Sequence, residues 1–116
     1  MGTQISPMLA VEDGAAAIEF YKKAFGAQEL WRLGAGANIV AGLAIGGSPF
    51  FLAKESPRYG TRAPQLAGHT TVRIELFVDN PVEVFNRALA AGAKQHSPVK
   101  EDVDCMTGTH PIHRVV

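Results

Sequence analysis

Apolar residues along this chain repeat with two different periods, and the switch from one to the other occurs twice. ISPMLAV (Ile5–Val11) reads as a strand. EDGAAAIEFYKKAFGA follows it, with Ile18, Tyr21 and Phe25 at helical spacing and Ala17 and Ala24 beside them. Asp13 is a good N-cap for that helix and Gly26 a fitting stop, because a helix end favours the left-handed conformation that glycine adopts without strain. The second switch lies in HTTVRIELFVDN (His69–Asn80). Val72, Ile74, Leu76 and Val78 form one row of this predicted strand, and Thr71, Arg73, Glu75 and Phe77 the other. Asn80 then caps a helix with Pro81 at its first position and Glu83 three residues after the cap. Val84, Phe85, Ala88 and Leu89 give its apolar stripe, and Gly92-Ala93 answers Gly26-Ala27.

A strand–helix–Gly-Ala unit therefore occurs twice, 67 residues apart from Val11 to Val78. After the first copy, QELWRL (28–33), NIVAGLAI (38–45) and PFFLAK (49–54) read as three strands. The glycines at 34, 36, 46 and 47 supply the turns between them. That makes a βαβββ module over about residues 5–55. Residues 56–69, rich in proline and glycine, read as a linker, and a second, partial module covers about 70–116. In the second module residues 94–99 and 112–116 offer only short strand candidates, so it is expected to be shortened at its C-terminal end. The length of 116 residues suits a single domain built from these two parts.

Two βαβββ modules in tandem resemble the vicinal oxygen chelate superfamily of glyoxalases, bleomycin-resistance proteins and extradiol dioxygenases. SPMLAVEDGAAAIEFYKKAFGA is similar to that family's opening strand and helix, and GHTTVRIELFVDNPVEVFNRALAAGA to the start of its second module. The tail HPIHRVV departs from the Asp-Pro-Phe-Gly-like ending of the family. The resemblance implies an α+β fold in which each module curls its sheet into a half-barrel, helices outside, around a cleft. Thr71, Arg73, Glu75 and Phe77 would then face the cleft, with Ser6, Met8 and Ala10 on the first strand, while Leu9 and Val11 would face the helices. The alternative is that Arg73 and Glu75 face water on a half-covered sheet.

Metal-dependent members of the family take ligands from the first, fourth, fifth and last strands of the two modules. The matching positions here are Ser6, Phe51 or Ala53, Arg73, and Val115. A serine hydroxyl is a poor ligand for a divalent ion, and an arginine offers fixed positive charge and no lone pair. No metal and no cofactor is therefore expected. His69, His96, His110 and His113, with Asp102 and Asp104, read as surface and loop residues rather than a substitute site. Met8, Trp31, Phe51, Arg73, Glu75 and Phe77 are the candidate ligand-binding residues, with Phe50 and Tyr59 as further wall candidates. Core packing is the competing fate of the aromatics. No catalytic residue is identified: the serines lack a His–Asp arrangement, and Cys105 has acidic rather than basic neighbours.

Composition narrows the partners. Eleven Lys+Arg against eleven Asp+Glu give zero formal charge without a basic stripe, which argues against nucleic acid or an anionic membrane. Hydrophobic residues at 47% with 19% charged indicate a globular chain, and near-neutral charge permits self-association. One cysteine excludes an internal disulfide, and no start resembling a signal peptide precedes the first strand, so a cytoplasmic location is expected. The expected function is metal-independent binding of a small aromatic or cationic molecule, with the protein a homodimer rather than an enzyme. A metal-dependent lyase, isomerase or dioxygenase of the same fold, and a degenerate interaction module, are the alternatives.

Overall fold

The computed structural model describes residues 2–72, 74–94 and 112–115, the last four as backbone only. It divides into two compact units, Met1–His69 and Thr70–Val116. In the first unit the elements run β1 (Met8–Val11), α1 (Gly14–Phe25), β2 (Gln28–Leu33), β3 (Val40–Ile45) and β4 (Ser48–Lys54), then a short helix α2 (Pro64–Ala67). The sheet order is β1-β4-β3-β2, with β1 parallel to β4 and the other pairs antiparallel. The parallel pair needs a long crossover, and α1, β2 and β3 together supply it.

Local chemistry accounts for each element. Asp13 stays extended and its Oδ1 accepts the Ala16 N–H at 3.1 Å, which starts α1. Gly26 at φ 66° ends it, donating back to Lys22 O at 3.0 Å. β3 and β4 form a two-residue hairpin. Ile45 faces Ser48 across Gly46 and Gly47, whose φ values of 55° and 81° give the type of turn that matches strand twist. Ile18 on α1 packs with Ile39, Ala41, Leu43, Phe50 and Leu52 into a core between helix and sheet. Leu9 and Val11 border that core from β1, as their expected parity requires. One face of the sheet is thus buried against α1, and the four-stranded sheet is half-covered in the manner of an α+β fold.

The second unit carries β5 (Ile74–Phe77), α3 (Pro81–Ala90) and β6 (Ile112–Val115), with β5 and β6 antiparallel. Asn80 caps α3 by accepting the Glu83 N–H at 3.1 Å and donating to Glu83 Oε2 at 3.3 Å. Ala88 is buried, and Val84, Phe85 and Leu89 half-buried, as the stripe predicts.

Two expectations need correction. β1 begins at Met8 rather than Ile5: the ladder ends where the Pro7 carbonyl accepts the Phe51 N–H at 2.8 Å, since neither Pro7 nor Pro49 has an N–H to carry it further, and Ile5 is 93% exposed. β5 likewise begins at Ile74, leaving Val72 exposed before the strand instead of in the helix-facing row. Pro57–Tyr59 forms a turn of 3₁₀ helix and α2 one helical turn, each opened by a proline and closed by a left-handed glycine, Gly60 and Gly68. The expected strand over 94–99 falls almost wholly outside the described residues, as do Arg73, His96, Asp102, Asp104, Cys105 and His110.

Candidate ligand-binding face

The uncovered face of the first unit's sheet holds three of the six candidate residues, Met8, Trp31 and Phe51. Strand register sets them in a row: Met8 opposes Phe51, Phe51 opposes Gly42, and Gly42 opposes Trp31. The next row is Ala10, Ala53, Val40 and Leu33. Neither row contains a charged residue. Met8 and Leu33 are 55% and 65% exposed, so the face is open as well as apolar.

Trp31 reaches this face through a β-bulge. Glu29 opposes Leu43 and Trp31 opposes Gly42, so two steps along β2 match one along β3, and Leu30 is the extra residue. In a regular strand Glu29 and Trp31 would share a face. The bulge instead leaves Glu29 on the α1 side and turns Trp31 to the other. Once there, the indole lies over Gly42. A Cβ at position 42 would stand 2.7 Å from Trp31 Cε2 and 3.1 Å from Cδ1, so only glycine leaves room for the ring. The Trp31 and Phe51 ring centroids are 5.6 Å apart at 47°, within aromatic contact range.

The helix side of the bulge is held by charge. Arg32 grips Glu29 with two hydrogen bonds, Nε to Oε2 at 2.9 Å and Nη2 to Oε1 at 2.7 Å, and Lys22 on α1 adds one at 3.0 Å. These donors, Arg32 first and Lys22 second, lower the Glu29 carboxyl to about 2. On the same side Phe50 is buried, its ring 5.2 Å from that of Tyr21. Burial raises the Tyr21 phenol above its ordinary range. Phe50 is therefore a core residue and not a cleft wall; its parity on β4, opposite to that of Phe51, decides this. Tyr59 is also no wall of this face: it lies exposed on the 3₁₀ turn with Arg58 over its ring.

Glu75 and Phe77 belong to the second unit, where strand alternation puts them on one face of β5. Phe77 is exposed and Glu75 half-buried, and Glu75 lines a shallow open depression with Thr70, Thr71 and Val72. In backbone register Glu75 opposes Arg114. Arg73 lies outside the described residues. The structure thus brings Met8, Trp31 and Phe51 together and sets Glu75 beside Phe77. Sequence reasoning passed over Gly42, whose signal was only a glycine inside a predicted strand.

A family model described as the Glyoxalase/Bleomycin resistance protein/Dioxygenase superfamily matches residues 4–109. The chain belongs to this superfamily. Among curated proteins, uncharacterized proteins of Mycobacterium bovis and Mycobacterium tuberculosis are 42% identical over 94 residues, 77% of this chain. The match spans only 62% and 55% of their respective lengths. Among solved structures, the X-ray structure of a gene product from Arabidopsis thaliana aligns with TM-score 0.71 and 26% identity, covering 84% of this chain and 80% of that one. TioX from Micromonospora sp. ML1 aligns with TM-score 0.62 and 24% identity over 97% and 88% of the two chains, which speaks to the fold alone.

The superfamily includes metal-dependent members, so the donors on the open face bear on this chain's chemistry. Ser6 precedes β1, and its hydroxyl accepts from Gln4 Nε2 at 3.1 Å. Phe51 and Ala53 occupy the β4 positions that share a face with Met8. Among the described residues no three His, Cys, Asp or Glu side chains converge, and the open face presents carbon and one thioether. This donor set does not fit a hard or borderline divalent ion. Among the described residues no helix is long and apolar enough to cross a membrane.

Proposed function

We propose that this member of the superfamily is a small-molecule-binding protein that needs no metal, and that its ligand rests on the open sheet face of the first unit. The row Met8–Phe51–Gly42–Trp31 carries this reading. A sheet that leaves a tryptophan, a methionine and a leucine uncovered while burying its other face forgoes stabilisation, and such apolar concentrations mark binding surfaces. The ring of Trp31 beside that of Phe51 suits a flat aromatic molecule, and a delocalised cation gains further attraction from the indole. Ser6, Phe51 and Ala53, where metal-dependent relatives hold ligands, favour binding over metal chemistry.

On the same reading each βαβββ module, about 5–55 and 70–116 with a linker at 56–69, is a half-barrel with its helix outside, and Glu75 and Phe77 are the candidate ligand contacts of the second. The protein acts as a cytoplasmic homodimer, an assembly its zero net charge does not oppose.

Trp31 is the only tryptophan, so its emission reports the face directly. Titration with a panel of planar aromatic and cationic compounds should give saturable quenching, together with a rise in melting temperature. Light scattering should give the mass of a dimer. A panel without a saturable response would defeat the binding reading, and a monodisperse monomer the dimeric one.

A further inference from the structure

We infer that Gly42 is a positioning residue: its missing side chain, together with the bulge at Leu30, fixes how Trp31 meets a ligand. The inference rests on the binding reading above and deepens it, by giving Gly42 a role in placing the ring. Gly42 is buried, and what buries it includes the pyrrole side of the Trp31 indole, with Nε1 the ring atom nearest to where a Cβ would stand. The pyrrole part of the ring therefore rests on β3 at Gly42, and this seat fixes where the ring stands for a ligand that stacks on it.

The conformation of Gly42 does not by itself demand glycine, since it is not among the glycines with positive φ. Space is the constraint. What a methyl group would meet is the outer part of one partly exposed side chain and not backbone, so Gly42→Ala leaves the fold in place and displaces the ring. The bulge acts one step earlier. It puts Trp31, and not Leu30, opposite Gly42. Sequence position and cross-strand gap are thus matched to one another.

The test compares wild type and Gly42→Ala, first without ligand. In Gly42→Ala the ring loses its seat on the sheet, so acrylamide quenching of Trp31 should rise about twofold and the near-ultraviolet circular dichroism of the indole should weaken. The melting temperature should stay within about 4 °C of wild type. The second arm uses N-methylquinolinium, a planar cation, and its saturated decahydro counterpart of equal charge. Gly42→Ala should weaken the planar probe by about three- to tenfold, the worth of one aromatic pair, and change the saturated one little. Unchanged quenching and dichroism in Gly42→Ala would overturn the inference whatever the ligand data show. Equal losses for both probes would overturn it too, because the ring's placement would then not be what the mutation altered. Failure of wild type to bind either probe, with the ring displaced as expected, would count against the binding reading and leave the positioning of Trp31 standing.

Discussion

Two leucines that lose the same atoms should respond very differently if the sheet has one buried and one open face. Leu43 on β3 is fully buried against α1, whereas Leu33 on β2 lies 65% exposed in the open row beside Val40. Leucine to alanine removes about three carbon groups at about 0.8 kcal/mol each, or about 2.4 kcal/mol of transfer energy. At Leu43 the space left behind adds to this, giving about 3 kcal/mol, within the range found for buried leucines. At Leu33 most of that surface is already in water, so the cost should be about 0.5 kcal/mol. Urea unfolding followed by circular dichroism measures both, with the slope checked for constancy. Leu43→Ala should lower the melting temperature by about 10–20 °C and Leu33→Ala by only a few degrees. Ligand affinity should show the reverse order at temperatures where both variants are folded. A Leu33→Ala cost close to that of Leu43→Ala would mean that the face taken as open is covered in solution, and the reasoning from it would fail.

Other outcomes follow from single interactions. Glu29 titrates near 2 when folded against an ordinary value of 4.5, so its stabilising contribution is complete above pH 4.5 and disappears as pH falls toward 2. The melting-temperature gap between wild type and Glu29→Gln should therefore be widest near neutrality and close over that interval; a gap independent of pH would refute the assigned cause. Asn80→Ala removes the cap of α3 and should cost about 1 kcal/mol, with Asn80→Asp recovering most of it. Loss of stability in Asn80→Asp equal to that in Asn80→Ala would show that the side-chain oxygen is not what matters.

Much of the fold was legible because each signal was local. Asp13 and Asn80 cap by their own side chains, Gly26 stops a helix by its own conformation, and Gly46-Gly47 turns a hairpin without outside help. What the sequence hid depended on partners. Ile5 to Pro7 look like strand, but Pro7 has no N–H to donate and the ladder stops at its carbonyl, which accepts the Phe51 N–H. Phe50 and Phe51 are chemically the same, and only the register of β4 sends one to Tyr21 and the other to Trp31. The bulge at Leu30 carries no glycine or proline to announce it, yet it decides which face holds Trp31. Gly42 escaped notice because a strand glycine has several ordinary explanations. Of the candidate site, the three residues of the first unit are grouped by register alone, while Arg73 lies outside the described residues.

The claim that the bare side of this sheet is the ligand surface can be put to one spectrum. An amide-resolved NMR titration with N-methylquinolinium should move the resonances of Met8, Gly42 and Phe51 and the indole N–H of Trp31 together, saturating at a common concentration, with α1 unaffected. Saturable shifts confined to α1 or β5, or none along that row, would contradict it.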